Sequence, residues 1–174
     1  MTPSDLEIHQ RHFLKSKDKK QFVQDLIATH PKHKDEIKNI VNKKSKIEWI
    51  KLGSNEELYA IDNELAFWLK NDRFIPLISF LLKHELPFDS VVVDEGAIRF
   101  MARGADVMRP GIIKIDPGIE KDDIVLVKDP NHGKVLLIGK ALYDAVEMEK
   151  MDSGRVISAV HSLSDDIWEF SKNF

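Results

Sequence analysis

From Ser90 onward, turn chemistry interrupts the chain at short, regular intervals, and this spacing restricts its fold more than any other feature. The interruptions are Gly104, Pro110-Gly111, Asp116-Pro117-Gly118, Pro130-Asn131-His132-Gly133 and Asp152-Ser153-Gly154. Glycine, proline, asparagine and aspartate in such clusters supply the backbone angles that turns require. Between them lie strand-like runs at 112–116, 123–128, 134–140, 142–148 and 155–161, with a last one at 166–170. Val91-Val92-Val93 precedes them as a short strand, and a helix is expected from Asp94 to Arg103. One helix followed by many short strands predicts a small β-barrel.

The preceding half has a different texture. Ser16 is a suitable N-cap for a helix through about Thr29, with Phe22, Val23, Leu26 and Ile27 on one face. His30-Pro31 interrupts it, because the residue before proline is pushed out of the helical region. A second short helix over roughly 33–42 turns Ile37, Ile40 and Val41 inward. Then the period changes. Runs at 46–52, 58–61 and 65–69, separated by Gly53-Ser54-Asn55 and Asp62-Asn63, predict a three-stranded antiparallel meander. Pro76 opens an apolar stretch through Leu82 that suits a buried helix of two to three turns. The fold class is therefore α+β: an N-terminal domain of helices and a small sheet over 1–91, then a barrel domain with a short helix over 92–174. The boundary falls at about 90–93, with no flexible linker.

Composition narrows the function classes. The chain has no cysteine, which excludes a disulfide framework, a cysteine-liganded metal or iron–sulfur centre, and a thiol nucleophile. No apolar run approaches the roughly 20 residues that span a bilayer, and the start MTPSDLEIHQ has no signal-peptide apolar region, so a soluble cytoplasmic protein is expected. The net charge of −3 speaks against a nucleic-acid binder when taken alone. Charge is uneven, however. Residues 1–50 hold 11 basic and 7 acidic residues, whereas residues 91–174 hold 11 and 15. The positive excess sits in Lys15, Lys17, Lys19, Lys20, then Lys32, Lys34, Lys38, then Lys43, Lys44, Lys46. Such a cluster is either a solvated helix face or a set of phosphate contacts.

The most informative segment runs from Asp94 to Gly111. Asp94 can cap the helix and Glu95 lies in its first turn, where the dipole favours an acid. Ile98, Met101 and Ala102 form an inward stripe, so Arg99 and Arg103, four apart, share the other face. Gly104 suits the left-handed residue that ends a helix, and Pro110-Gly111 sets a turn before the strand at 112–115. Two arginines thus lead into a glycine-bounded loop, with Arg109 and Lys114 just beyond. This is either a phosphate-binding corner or a helix–loop–strand connection whose glycines serve only the turns.

The residues resemble a known domain. Val93-Asp94-x-Gly96-Ala97-Ile98, followed by Gly104-Ala105-Asp106-Val107-Met108-x-Pro110-Gly111-Ile112, looks like the opening of the PUA domain, the RNA-binding domain named after pseudouridine synthases and archaeosine transglycosylases. Asp123–Val127, Lys134–Ala141 and Gly154-x-Val156 with His161 and Asp166-Ile167-Trp168 resemble its later strands, so the likeness covers about 93–170. The N-terminal arrangement, with Pro76-Leu77-x-x-x-Leu81-Leu82-Lys83-His84 leading into that opening, is similar to the family of ligatin and the malignant T-cell-amplified-sequence proteins, archaeal versions included. The resemblance implies a non-catalytic RNA-binding factor of translation. It would bind tRNA or small-subunit rRNA on the small ribosomal subunit, with a SUI1-domain protein supplied in trans. It also implies RNA contacts through the helix, the following loop and the closing strand, namely Arg99, Arg103, Gly104, Ala105, Asp106, Val107 and Arg109, to which the surface argument adds Lys114. An RNA-modification enzyme or its accessory subunit is one alternative, and a protein–protein adaptor acting through the lysine-rich N-terminal domain is another.

Other residues suggest no chemistry. His9-x-x-His12 and His30-x-x-His33 have a spacing that permits metal binding but lack an obvious third ligand. Asp122-Asp123 and Asp165-Asp166 would point to opposite faces of a strand. No nucleotide-binding glycine loop is present, and Ser153 and His161 form no nucleophile arrangement. No catalytic residue, metal or cofactor is expected. Trp49, Trp68 and Trp168 read as core or interface anchors.

Overall fold

The computed structural model describes residues 3–174 and divides into two compact units, one comprising the residues to Pro87 with Phe170–Phe174 and the other Phe88–Glu169. The first is built on a five-stranded sheet, β1 (Ile8–Phe13), β2 (Ile47–Leu52), β3 (Glu57–Ile61), β4 (Glu64–Lys70) and β5 (Arg73–Pro76), each strand antiparallel to the next. Two-residue turns make the last hairpins. Asp62-Asn63 and Asn71-Asp72 all have positive φ, between 50° and 71°. That turn matches the right-handed strand twist, and Asn and Asp tolerate its angles.

Helix α1 (Ser16–Thr29) buries Phe22 and Leu26, and α2 (Lys34–Ile40) buries Ile37. The Phe22 ring stacks on Tyr59 at 4.7 Å, and Phe74 meets both edge-on at 5.3 Å. Burial in this cluster, with nearby Glu57 and Asp25, pushes the Tyr59 phenol up to about 12.

The second unit is a nearly closed six-stranded barrel of β6 (Ser90–Val93), β7 (Val107–Met108), β8 (Ile112–Ile115), β9 (Ile124–Lys128), β10 (Val135–Ala141) and β11 (Arg155–Ser162). Its strand order is β7-β11-β10-β9-β6-β8, with β6 and β9 parallel and the other pairs antiparallel. Val91, Val93, Val125, Val127, Leu137 and Ile157 fill the interior. Gly139 is required where β10 and β11 slip register, since a Cβ there would collide with the Ile157 side chain and the Ser158 carbonyl.

Several expectations need correction. Residues 142–148 and 166–170 are not strands; they contribute to the helices α5 (Ala145–Lys150) and α6 (Asp166–Lys172). In α5, Ala145 and Met148 face inward three residues apart while Val146 is exposed, a helical rather than an alternating pattern. For α6, the Asp165 carboxylate caps the first turn by accepting the Trp168 amide at 2.7 Å. The meander has five strands, not three. β1 is exposed along both faces and so shows no alternation, and β5 ends in Pro76, which an edge strand tolerates. The expected two-to-three-turn helix after Pro76 is the single turn α3 (Ile78–Leu81). Ser16 is the first residue of α1, and Lys15 occupies the cap with no side-chain hydrogen bond.

Candidate nucleic-acid interface

The surface predicted around the short helix is assembled by local rules. Asp94 Oδ1 accepts the Ala97 amide at 2.9 Å, capping a 3-10 turn that runs directly into helix α4 (Ile98–Ala102). Met101 is buried and Ile98 packs against the barrel core, which leaves Arg99, Phe100 and Arg103 exposed. The Arg99 guanidinium lies 5.4 Å from the centre of the Phe100 ring, within cation–π range. Gly104 ends the helix at φ +84°, and a Cβ there would also crowd the Ser162 hydroxyl at 3.0 Å.

The loop after Gly104 is tied to β11. Asp106 Oδ1 accepts the Ala159 amide at 2.8 Å, and Oδ2 accepts from Arg155 Nη1 at 3.1 Å. The Ala159 amide, helped by Arg155 and working against partial burial, holds the Asp106 carboxyl below its ordinary range. β7 then pairs with β11 through Met108–Arg155 and Val107–Ile157. Helix, loop and closing strand thus form one continuous wall. The helix, the loop and β6–β7 residues line a mainly apolar, partly open cavity of about 270 Å³, among them Val93, Phe100, Met101, Val107 and Met108. Exposed Phe100 and Met108 stand at its rim, each about half accessible.

The structure distributes the predicted residues among different roles. Arg99 and Arg103 share the exposed face and, among the described residues, make no ion pair. Gly104 and Asp106 shape the loop; Ala105 is exposed and Val107 is a buried wall residue. Arg109 does not join the other arginines. Its Nε donates to the Met148 carbonyl at 2.6 Å, one Nη to the Ile112 carbonyl at 3.2 Å, and the other Nη lies 3.9 Å from Glu149. Lys114 is exposed on β8, paired with Val92, and does not line the cavity. Two surface residues were not singled out by number, although Arg155 begins the closing strand at 155–161 that the resemblance offered as an RNA contact. Phe100 follows Arg99 on the outward face, a position its offset from the Ile98–Met101–Ala102 stripe already indicates. Arg155 opens the strand after Asp152-Ser153-Gly154 but has no local signal for its role.

Elsewhere, His12 packs on Trp49 at 5.0 Å and His30 Nε2 lies 2.5 Å from the Phe74 carbonyl oxygen. Among the described residues no group of three or more His, Asp or Glu side chains is placed to hold a metal. No helix among them is long and apolar enough to cross a membrane. The Trp49 and Trp68 indoles donate to Glu57 and Glu56.

The PUA-domain model matches residues 89–163 and the Pre-PUA-like domain model residues 3–84. Translation machinery-associated protein 20 of Saccharomyces cerevisiae is 33% identical, over 95% of this chain and 94% of that one. The chain belongs to the family of translation machinery-associated protein 20 and the malignant T-cell-amplified sequence proteins. An uncharacterized family protein of Methanocaldococcus jannaschii is 38% identical over 95% of this chain and 99% of its own length. A solved hypothetical protein from Pyrococcus horikoshii is also similar, with a TM-score of 0.79 and 30% identity, covering 93% of this chain and 99% of that one. The helix–loop–strand wall described above lies inside the part of the chain matched as a PUA domain, and β1–β5 inside the Pre-PUA match.

Proposed function

We propose that this protein is a non-catalytic RNA-binding factor of the translation apparatus, working in the cytoplasm, and that its PUA unit grips an unpaired stretch of tRNA or small-subunit rRNA. The observation that carries this reading is the apolar cavity with Phe100 at its rim, the Arg99 guanidinium 5.4 Å from that ring, and Arg103 exposed on the same short helix. An unstacked base finds an apolar recess and an aromatic ring, while guanidinium groups meet the flanking phosphates. The translation-machinery association carried in the names of its relatives supports a role in translation; within this proposal the protein acts on the small ribosomal subunit, with a SUI1-domain protein in trans.

A modification enzyme would need an acid or base poised in a cleft. The one carboxylate lining this cavity, Asp106, is occupied by Ala159 and Arg155. A second, open cavity of about 520 Å³ in the first unit contains Glu64, Lys83 and His84. There Glu64 lies 3.2 Å from His84 Nε2 and 3.3 Å from Lys83 Nζ. Burial pushes its carboxyl up, but those two partners outweigh burial and hold it low. A carboxyl held low in this way is suited to an ion pair rather than to donating a proton.

The test is titration of a short single-stranded RNA and of tRNA across a range of salt. Arg99→Ala with Arg103→Ala should weaken binding and flatten the log–log salt slope by about 1.4, at ~0.7 per phosphate contact. Phe100→Ala should cost about 1–3 kcal/mol of affinity with little change in slope. Unchanged affinity and slope in the double variant would remove this surface from the RNA.

A further inference from the structure

The first unit carries a second charged surface that the PUA wall does not explain. Helix α1 is 14 residues long; Lys15 stands at its cap and Lys17, Lys19 and Lys20 lie in its opening turns, with Asp18 as the acid in its first turn. The N-terminal end of a helix is its positive end, where acids stabilise and ammonium groups repel. Lys15 stands in the cap position, where a donor-only side chain can accept nothing from the free amides. Helix stability does not account for Lys15, Lys17 and Lys20 at this place.

A second segment is brought to the same spot. Lys19 Nζ donates to the carbonyl oxygens of Lys43 at 2.9 Å and Ser45 at 2.5 Å, clasping the loop after α2 against the start of α1. The loop is held in shape on its own account. Asn42 Oδ1 accepts the Lys44 and Ser45 amides at 2.8 and 3.2 Å, and the Lys46 amide donates to Asp62 at 2.7 Å. Lys43, Lys44 and Lys46 are therefore carried on a fixed frame tied by Lys19 to the start of α1, the segment that carries Lys15, Lys17 and Lys20. All six are exposed and, among the described residues, none makes an ion pair.

We infer that these six lysines form a phosphate-backbone surface that holds duplex RNA without reading its sequence. Lysine presents a mobile point charge rather than a fork, which suits backbone contacts that position without specifying. The charge and the sparse apolar surface favour RNA over an acidic protein segment. Phe13, two residues before Lys15, is one exposed aromatic ring, and no large apolar side chain is exposed between residues 15 and 46, whereas protein interfaces rest on clustered apolar and aromatic anchors and are poor in lysine. Lys19, already engaged with the loop, is a positioning residue. The inference does not depend on what the PUA cavity binds.

The experiment measures binding of the full chain to blunt RNA duplexes of two unrelated sequences, in which stacked bases leave the backbone as the main target, as a function of salt. Lys43→Gln, Lys44→Gln and Lys46→Gln together should flatten the log–log slope by about 2.7, at ~0.9 per contact. Over a fourfold rise in salt the variant would then lose roughly 40-fold less affinity than the parent. The triple Lys15→Gln, Lys17→Gln, Lys20→Gln should do the same, equally for both sequences. Arg99→Ala with Arg103→Ala should leave the duplex slope unchanged, so that failure here is separable from failure of the PUA reading. Duplex slopes unmoved by either lysine triple would overturn the inference. So would lysine-dependent binding of poly-glutamate tighter than that of the duplex, which would give the surface to an acidic protein segment.

Discussion

Replacing Arg109 with methionine separates two accounts of this residue. Sequence position places Arg109 among RNA-contacting arginines, whereas the structure commits its guanidinium to the barrel. Its Nε and one Nη donate to the carbonyl oxygens of Met148 and Ile112, and its side chain is only 18% exposed. Methionine keeps the apolar stem and removes both donors, leaving two carbonyl groups without that partner. Hydrogen bonds from a charged donor contribute about 1.5–3 kcal/mol each. The shorter bond, at 2.6 Å, should dominate over the one at 3.2 Å, so a loss of about 3 kcal/mol is expected. The Glu149 contact at 3.9 Å adds little, because Glu149 is largely exposed. For a unit the size of Phe88–Glu169, a change of 1 kcal/mol moves the thermal midpoint by roughly 4–8 °C, so a fall of at least about 12 °C is predicted. The assay is thermal unfolding followed by circular dichroism, with RNA titration at a temperature where the variant remains folded. Affinity and salt slope should then match the parent. A midpoint within about 2 °C of the parent, together with a flattened salt slope, would refute the structural account and return Arg109 to the RNA.

Two further expectations concern the same unit. Gly104→Ala forces a Cβ into the left-handed region and against the Ser162 hydroxyl; it should destabilise by more than about 1 kcal/mol, read from urea midpoints at unchanged m-value. Burial pushes the Asp165 carboxyl up, but its 2.7 Å contact with His161 and the amides of Trp168 and Ser162 outweigh that and hold it low. A depressed carboxyl contributes stability that is fully present above the unfolded value of about 3.9 and is lost as pH falls through the lower folded value. Asp165→Asn should therefore lower the thermal midpoint at pH 7 and flatten its decline in acid; an acid limb as steep as the parent's would exclude this pair as a source of pH dependence.

The sequence carried the parts of this molecule that depend on residue type alone. Asp62-Asn63, Asp94 and Gly104 announce a turn, a cap and a left-handed stop because few other residues serve there. Helix α1 is legible because its apolar face recurs at helical spacing. The misread elements lacked a distinguishing period. The run 142–148 has enough apolar residues to pass for a strand until Ala145 and Met148 are seen to share one buried face. β1 is exposed on both faces and gives no pattern at all. At the site, the surface position of Arg99 and Arg103 follows from an adjacent helical stripe. The engagement of Arg109 does not, because its acceptor on Met148 lies 39 residues away. Asp106 is illegible for the same reason, since it ties to an amide 53 residues on.

That distinction explains how a unit with an acidic excess can present a basic face. Over Phe88–Glu169 there are 10 basic and 16 acidic residues, and the count alone predicts repulsion of RNA. Many of the acids have local structural work. Asp129 accepts the amides of Asn131, His132 and Lys134, Asp116 accepts the Ser90 amide, and Asp94, Asp106 and Asp165 each hold a turn or strand. Backbone amide dipoles point at these carboxylates and offset part of their field nearby. The arginines divide in the opposite sense. Arg109 is engaged with the barrel and Arg155 with Asp106, while Arg99 and Arg103 stand exposed on the short helix whose Phe100 and Met101 line the cavity. Screening over about 8 Å at physiological salt makes the near charges count for more than the distant ones. RNA affinity at this wall should therefore follow two arginines rather than the net charge, and the double substitution should matter more than any change to the unit's acidic total.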